Sequence, residues 1–148
     1  MAVKRKLDFS AAIKELEKRK SDLPKTVANT AVNFYVNNFN KAEWEGVKWK
    51  EVKRREKGGD NSDAKRGILK GKTRSLYLAL KKSVRSANWK GVRFGIDLSY
   101  AAVHNEGLKA GRGKGFIMPK RKFIGNNMLL NKKLDKLIFT SIKSIFAK

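Results

Sequence analysis

An α+β fold is what this sequence predicts: N-terminal helices, a small mainly antiparallel sheet and a C-terminal amphipathic helix. Three observations carry that expectation. Apolar residues recur at helical spacing over 9–39, two short alternating runs flank Asn88-Trp89-Lys90-Gly91, and Leu130, Leu134, Leu137, Ile138, Ile142 and Ile145 form one stripe near the end. At 148 residues, 41% of them apolar, the chain has the size and hydrophobic content of one domain with one core, spanning 1–148.

Over 7–20, Phe9, Ala12, Ile13 and Leu16 mark a short amphipathic helix with Asp8 or Ser10 as its cap. Ser21-Asp22-Leu23-Pro24 then offers a capping residue and a proline suited to a first helical position, which predicts a second helix to about residue 39. Its stripe, widened by Ala28, Val32, Val36 and Phe39, predicts burial from two directions, a neighbouring subunit included. Trp44 and Trp49 flank Gly46, and the basic, glycine-containing run that follows is expected to be a mobile loop near 53–72. Thr73 is placed to cap a short helix bearing Leu76, Tyr77 and Leu80.

The runs 84–87 and 92–96 read as strands joined by a hairpin turn. A brief helical segment over 100–106 follows, which Gly107 can end in the left-handed conformation. From 108 to 115 three glycines and three cations carry no apolar stripe, and this reads as a second flexible basic loop. Phe116-Ile117-Met118 resumes an extended run that Pro119 stops. The last helix opens at Asn126 or Asn127, sets Lys132, Lys136 and Lys143 opposite its apolar stripe, and is expected to pack across the sheet.

Charge narrows the function. There are 36 Lys and Arg against 13 Asp and Glu, a net charge of +23, and such self-repulsion persists where a partner is anionic or the charges face a lumen. The absence of cysteine excludes disulfides and Cys-ligated zinc, and a single histidine excludes multi-His metal sites. The opening residues, broken by Asp8, Glu15 and Glu17, lack the apolar core of a signal peptide, and no run approaches a membrane span. The expectation is a soluble intracellular protein with no cofactor and no membrane partner.

His104 is the residue an enzyme would use, with Ser99 and Asp97 near it in sequence, yet no nucleophile elbow surrounds them and the carboxylates are scattered. No catalytic residue is nominated. Gly111, Gly113 and Gly115 lack the strand-and-helix context of a phosphate-binding loop. The basic loops are the better candidates for contact with DNA or a partner: Lys53, Arg54, Arg55, Lys65 and Arg66 in one, Lys109, Arg112 and Lys114 in the other, with Trp44, Trp49 and Trp89 as possible stacking groups.

The segment YAAVHNEG at 100–107 resembles the signature of the phage virion morphogenesis family, which includes tail completion and head-tail joining proteins. That family shows YA-x-x-H-x-x-G, then I-P-x-R-x-F and a C-terminal helix; Ile117, Pro119, Arg121 and Phe123 fill comparable places, with Met118 inserted. Upstream, GVKW resembles its P-x-G-x-x-W element and ILKGKTRSL its iL-x-x-T-G-x-L element, although Glu45 precedes Gly46 without the usual proline nearby, Arg74 stands where glycine is common and Lys122 replaces a frequent second proline. The resemblance implies a structural protein, not an enzyme. It implies assembly into a ring at tail completion or the head-tail joint, homo-oligomerisation, tail or connector proteins as partners, and residence in the host cytoplasm and then the virion. DNA in a basic lumen is a further possible partner, and non-sequence-specific nucleic-acid binding through the basic loops is the rival reading. Within the motif, Tyr100 is expected to bury its ring and bond through its hydroxyl, Ala101 to allow close packing, His104 to tie the turn with its ring nitrogens, and Gly107 to free the exit. Pro119 and Arg121 would fix the return path, with Phe123 anchoring the last helix.

Overall fold

The computed structural model describes residues 9–56 and 65–146. In chain order the elements are α1 (Ser10–Lys41), β1 (Glu43–Trp44), β2 (Val47–Lys48), α2 (Lys53–Glu56), α3 (Ser75–Lys81), β3 (Val84–Asn88), β4 (Gly91–Phe94), α4 (Ser99–Glu106), β5 (Lys109–Ala110), β6 (Phe116–Ile117) and α5 (Met128–Phe146). The class is α+β, with a long N-terminal helix, small antiparallel sheets and a C-terminal helix.

The two helices expected at the N-terminus are one helix of 32 residues with Pro24 inside it. A proline there removes an amide and crowds the carbonyl of Lys20, but the surroundings hold both halves in line. Leu23 and Pro24 are buried, and Arg19, one turn earlier, donates to Ser141 at 3.3 Å and Ser144 at 3.5 Å on α5. Phe9 occupies the cap position with no side-chain bond, Ser10 is already helical, and Leu7 and Asp8 lie outside the described residues. From Ala28 onward, Ala31, Tyr35, Asn38 and Phe39 turn inward at three- and four-residue spacing, which is the core-facing stripe. Ala42, left-handed at φ 53°, ends the helix by donating to the carbonyls of Asn38 and Phe39.

One sheet was expected; three separate two-stranded antiparallel ladders are present. The β3–β4 hairpin pairs Asn88 with Gly91, so Trp89 and Lys90 form its turn, and the register slips between Val84 and Ser86. The β1–β2 ladder turns on Glu45 and Gly46, whose φ values of 51° and 81° are the positive pair a tight two-residue hairpin requires. The third ladder, β5–β6, is built from the stretch read as loop: Lys109 faces Ile117 and Ala110 faces Phe116. Part of the other basic loop, residues 57–64, lies outside the described residues, while 53–56 form α2.

The last helix packs along α1 and not across the strands. Asn127, 1% exposed, caps it: its Oδ1 accepts from the amides of Leu129 at 2.9 Å and Leu130 at 3.1 Å. The cap of α3 also differs from expectation. Thr73 bonds the Ser75 hydroxyl at 2.6 Å, and the cap position belongs to Arg74, which is left-handed at φ 52°. The core gathers around the fully buried Phe39 and Phe123, whose rings meet edge to face at 5.9 Å, with Trp49 closing on Phe39 at 5.5 Å and Ile68, Leu76 and Leu80 beneath them. Among the described residues no helix is long and apolar enough to cross a membrane.

Arg74 has a left-handed backbone, φ 52°, and a left-handed residue with a Cβ costs about 1 kcal/mol or more. Arg74→Gly is expected to stabilise the fold by about 0.5–1 kcal/mol, read as a higher urea midpoint at unchanged slope. A lower midpoint would mean that the arginine side chain contributes more than its backbone costs.

Candidate functional site

The motif residues meet where α4 runs into the return segment 118–127. Gly107 ends α4 in the left-handed conformation, φ 71°, and the amides of Gly107 and Leu108 both donate to the Val103 carbonyl at 3.0 Å. A Cβ on Gly107 would lie 3.0 Å from the Lys120 Cβ and 3.1 Å from the Met118 carbonyl oxygen, so glycine serves both the turn and the close passage of the returning chain. Pro119 is half-buried in that passage. Two residues on, the Arg121 amide donates to the His104 carbonyl at 2.8 Å.

Arg121 is buried, 4% exposed, and its guanidinium reaches a third segment. Nε and Nη2 donate to the Lys50 carbonyl at 3.1 and 3.0 Å, and Nη2 also approaches the Glu51 carbonyl at 3.4 Å. The planar fork of arginine suits this double donation, which lysine cannot reproduce. Nearby, Trp49 Nε1 donates to the Lys122 carbonyl at 2.9 Å, and the Lys122 ammonium sits 5.3 Å over the Trp44 ring. Phe123 follows, fully buried.

Asn105 is the residue that the sequence reading missed. Buried on the inner face of α4, one turn after the buried Ala101, it accepts through Oδ1 from the amides of Phe123 at 2.9 Å and Ile124 at 3.2 Å. Its Nδ2 donates to the Ile124 carbonyl at 3.1 Å and to Glu106 Oε1. The side chain thus takes the place of a neighbouring strand for a segment that has none. Its spacing of four from Ala101 was the available signal. Tyr35 adds a similar tie, donating from its hydroxyl to the Gly125 carbonyl at 3.1 Å while burial pushes its pKa up.

Two motif residues sit differently from expectation. Tyr100 is 41% exposed, with its ring edge-on to His104 at a centroid distance of 6.1 Å. His104 ties the turn through its backbone carbonyl; its ring Nδ1 is buried without a hydrogen-bond partner. Burial, and secondly the Arg121 charge, lower the His104 pKa below 6.5, so the neutral ring is the favoured form. His104, Arg121, Tyr100, Thr73 and Leu69 border a small pocket of about 280 Å³. Asp97 is turned away to pair with Arg85 on β3, so no acid orients the histidine and the Ser-His-Asp reading has no geometry behind it. Among the described residues no group of His, Asp and Glu has the make-up of a metal site.

The candidate contact residues fall in three places, α2, residues 65–66 and the β5–β6 hairpin. Lys53 and Arg55 are exposed on α2, where Arg55 pairs with Glu51 at 3.3 Å; Lys65 is exposed and Arg66 half-buried, and the Arg54 side chain lies outside the described residues. Lys109, Arg112 and Lys114 are exposed together on the β5–β6 hairpin, with left-handed Gly111 and Gly113 between them and left-handed Gly115 after. Gly115 cannot carry a side chain, since a Cβ would lie 2.6 Å from the Ala110 carbonyl oxygen. Of the three tryptophans offered for base stacking, Trp44 and Trp49 are in the core and only Trp89 is exposed.

The cluster fastens irregular chain to a helix, and the hairpin beside it in sequence exposes three cations. The model of the phage virion morphogenesis family matches residues 3–143, and the chain belongs to that family. Its role is structural, in the building of the phage particle with other virion proteins. No curated protein and no solved structure matches the chain.

Removing the guanidinium takes the donor from the Lys50 and Glu51 carbonyls and empties the space of a side chain that is itself buried. Arg121→Ala is expected to cost about 3 kcal/mol or more and Arg121→Lys about 1–2 kcal/mol, measured by urea unfolding. Equal, small losses for both would show that the fork is dispensable. The single histidine gives a second readout. With its folded pKa below 6.5, the unfolded chain takes up the proton first as pH falls, so stability is full above pH 6.5 and declines below it towards the folded value. His104→Gln is expected to flatten that decline in a pH series of melting temperatures.

Proposed function

We propose that this protein completes the tail or joins it to the head, working as a ring-type assembly of identical copies. The observation that carries this reading is the family match over residues 3–143, taken with a net charge of +23 that suits a channel through which DNA passes or a seat on acidic virion neighbours. The motif cluster builds the fold, and the hairpin with Lys109, Arg112 and Lys114 meets the partner. The whole chain works as one domain, and no step of catalysis is assigned to it.

The test is a phage or prophage lacking this gene, viewed by electron microscopy of lysates. Finished heads and tails that remain unjoined, or tails that lack their normal end, with joining restored by the protein in trans, is the expected result. Normal infectious particles would overturn the role in completion. The rival reading, non-specific nucleic-acid binding, is favoured by one specific observation, the three exposed cations clustered on one hairpin. It calls for tight binding of duplex DNA by the isolated chain, with an affinity that falls with salt at a slope near −2.7 for three phosphate contacts. Replacing the three hairpin cations by Gln should abolish that slope if they supply it.

A further inference from the structure

An open cleft of about 930 Å³ runs between α1, the β3–β4 hairpin, α4 and α5. Its walls are apolar, with Val27, Phe94, Ala102, Leu134 and Ile138 among them and the exposed Trp89 at its rim. This is why the α5 stripe, legible as core in the sequence, is fully buried only at Leu130 and Ile145. Roughly one residue in four of the chain is Lys or Arg, 36 of 148, yet among the described residues lining the cleft there is neither, and Glu106 is the one charge. A strongly cationic chain has kept this one apolar surface clear of like charge.

The same chain carries a fitting guest. Leu108, Phe116 and Ile117 expose apolar side chains on the β5–β6 hairpin, Ile117 at 72%, flanked by Lys109, Arg112 and Lys114. No residue of that hairpin lines the cleft of its own chain. Both hairpins are also unfinished as sheets. A two-stranded ladder is marginal alone and offers unpaired edges, and β4, with Val92 and Phe94 on the cleft wall, is one strand of such a ladder.

We propose that the cleft receives the β5–β6 hairpin of a second copy of this chain, head to tail. Ile117 enters the apolar floor, the hairpin's backbone adds to the edge of the β3–β4 ladder, and Lys109, the cross-strand partner of Ile117 on the same face, meets Glu106, which in the single chain approaches Lys120 at 3.4 Å. Hairpin and cleft are different surfaces, so the contact is heterologous and closes into a ring when its rotation permits. This deepens the ring-type assembly proposed above and rests on it.

The chain has no cysteine, so single cysteines placed at two exposed positions report the contact. Ala102→Cys marks the cleft and Ile117→Cys the hairpin. Treated with a short bis-maleimide, a mixture of the two variants is expected to give a cross-linked dimer that neither gives alone, and the double variant a ladder ending in one closed species. Light scattering of the unsubstituted chain across concentrations runs beside it. Oligomers without the mixed cross-link, or with Ala102→Cys coupling to itself, overturn the hairpin-in-cleft contact and leave ring assembly standing. A chain monomeric at every concentration overturns both. Ile117→Asp, with an unchanged melting temperature, is expected to weaken self-association at least tenfold, and an unchanged association constant would overturn the proposal.

Discussion

Buried backbone without a sheet to pair with must be satisfied by side chains, and in this protein most of the architecture follows from how that is done. The described residues of 42–74 and 107–127 form only two-residue strands and short helical turns, yet both segments contribute buried residues to the core. Arg121 serves the carbonyls of Lys50 and Glu51, Asn105 serves 123–124, Trp49 serves Lys122, Tyr35 serves Gly125, and Asn127 serves the first turn of α5. Each truncation would take from the backbone a bond that no strand supplies. The long irregular stretches are held because four polar side chains reach across them and a fifth, Asn127, caps the helix that follows.

What was legible in the sequence was what local chemistry decides. The α5 stripe, the β3–β4 hairpin with its Trp89-Lys90 turn, and the left-handed stop at Gly107 all follow from spacing and turn residues within a few positions. Where tertiary packing decides, local signals misled. Pro24 reads as a helix start, and packing of both flanks against α5 keeps the helix continuous. The glycines between Lys109 and Phe116 read as linker because apolar content within the loop is low, whereas pairing of its ends, Ala110 with Phe116, makes it a hairpin. Asn105 was passed over since an asparagine in a motif carries no mark of what it will bond, and its partners lie 18 and 19 residues away.

The family's motif is thereby given physical content. Tyr100 and His104 border a small pocket, Gly107 and Arg121 set the path of the returning chain, and Asn105, next to the histidine, does the fastening. The catalytic look of a lone histidine near serine and aspartate dissolves once Asp97 is seen to face Arg85. Charge and apolar surface are likewise sorted: cations project on the hairpin, and the open apolar cleft has none among its described lining residues.

The position of Pro24 divides α1 into two unequal regimes of stability. Every fully buried residue of that helix lies at Leu23 or beyond it, and the turns before it are fastened to α5 by the Arg19 bonds to two serines at its far end. With no buried residue before Leu23 and no amide at the proline, those bonds are what opposes opening of the first turns, which costs less than unfolding the core. Hydrogen exchange would divide α1 at that point, the leading turns exchanging ahead of those that Phe39 anchors.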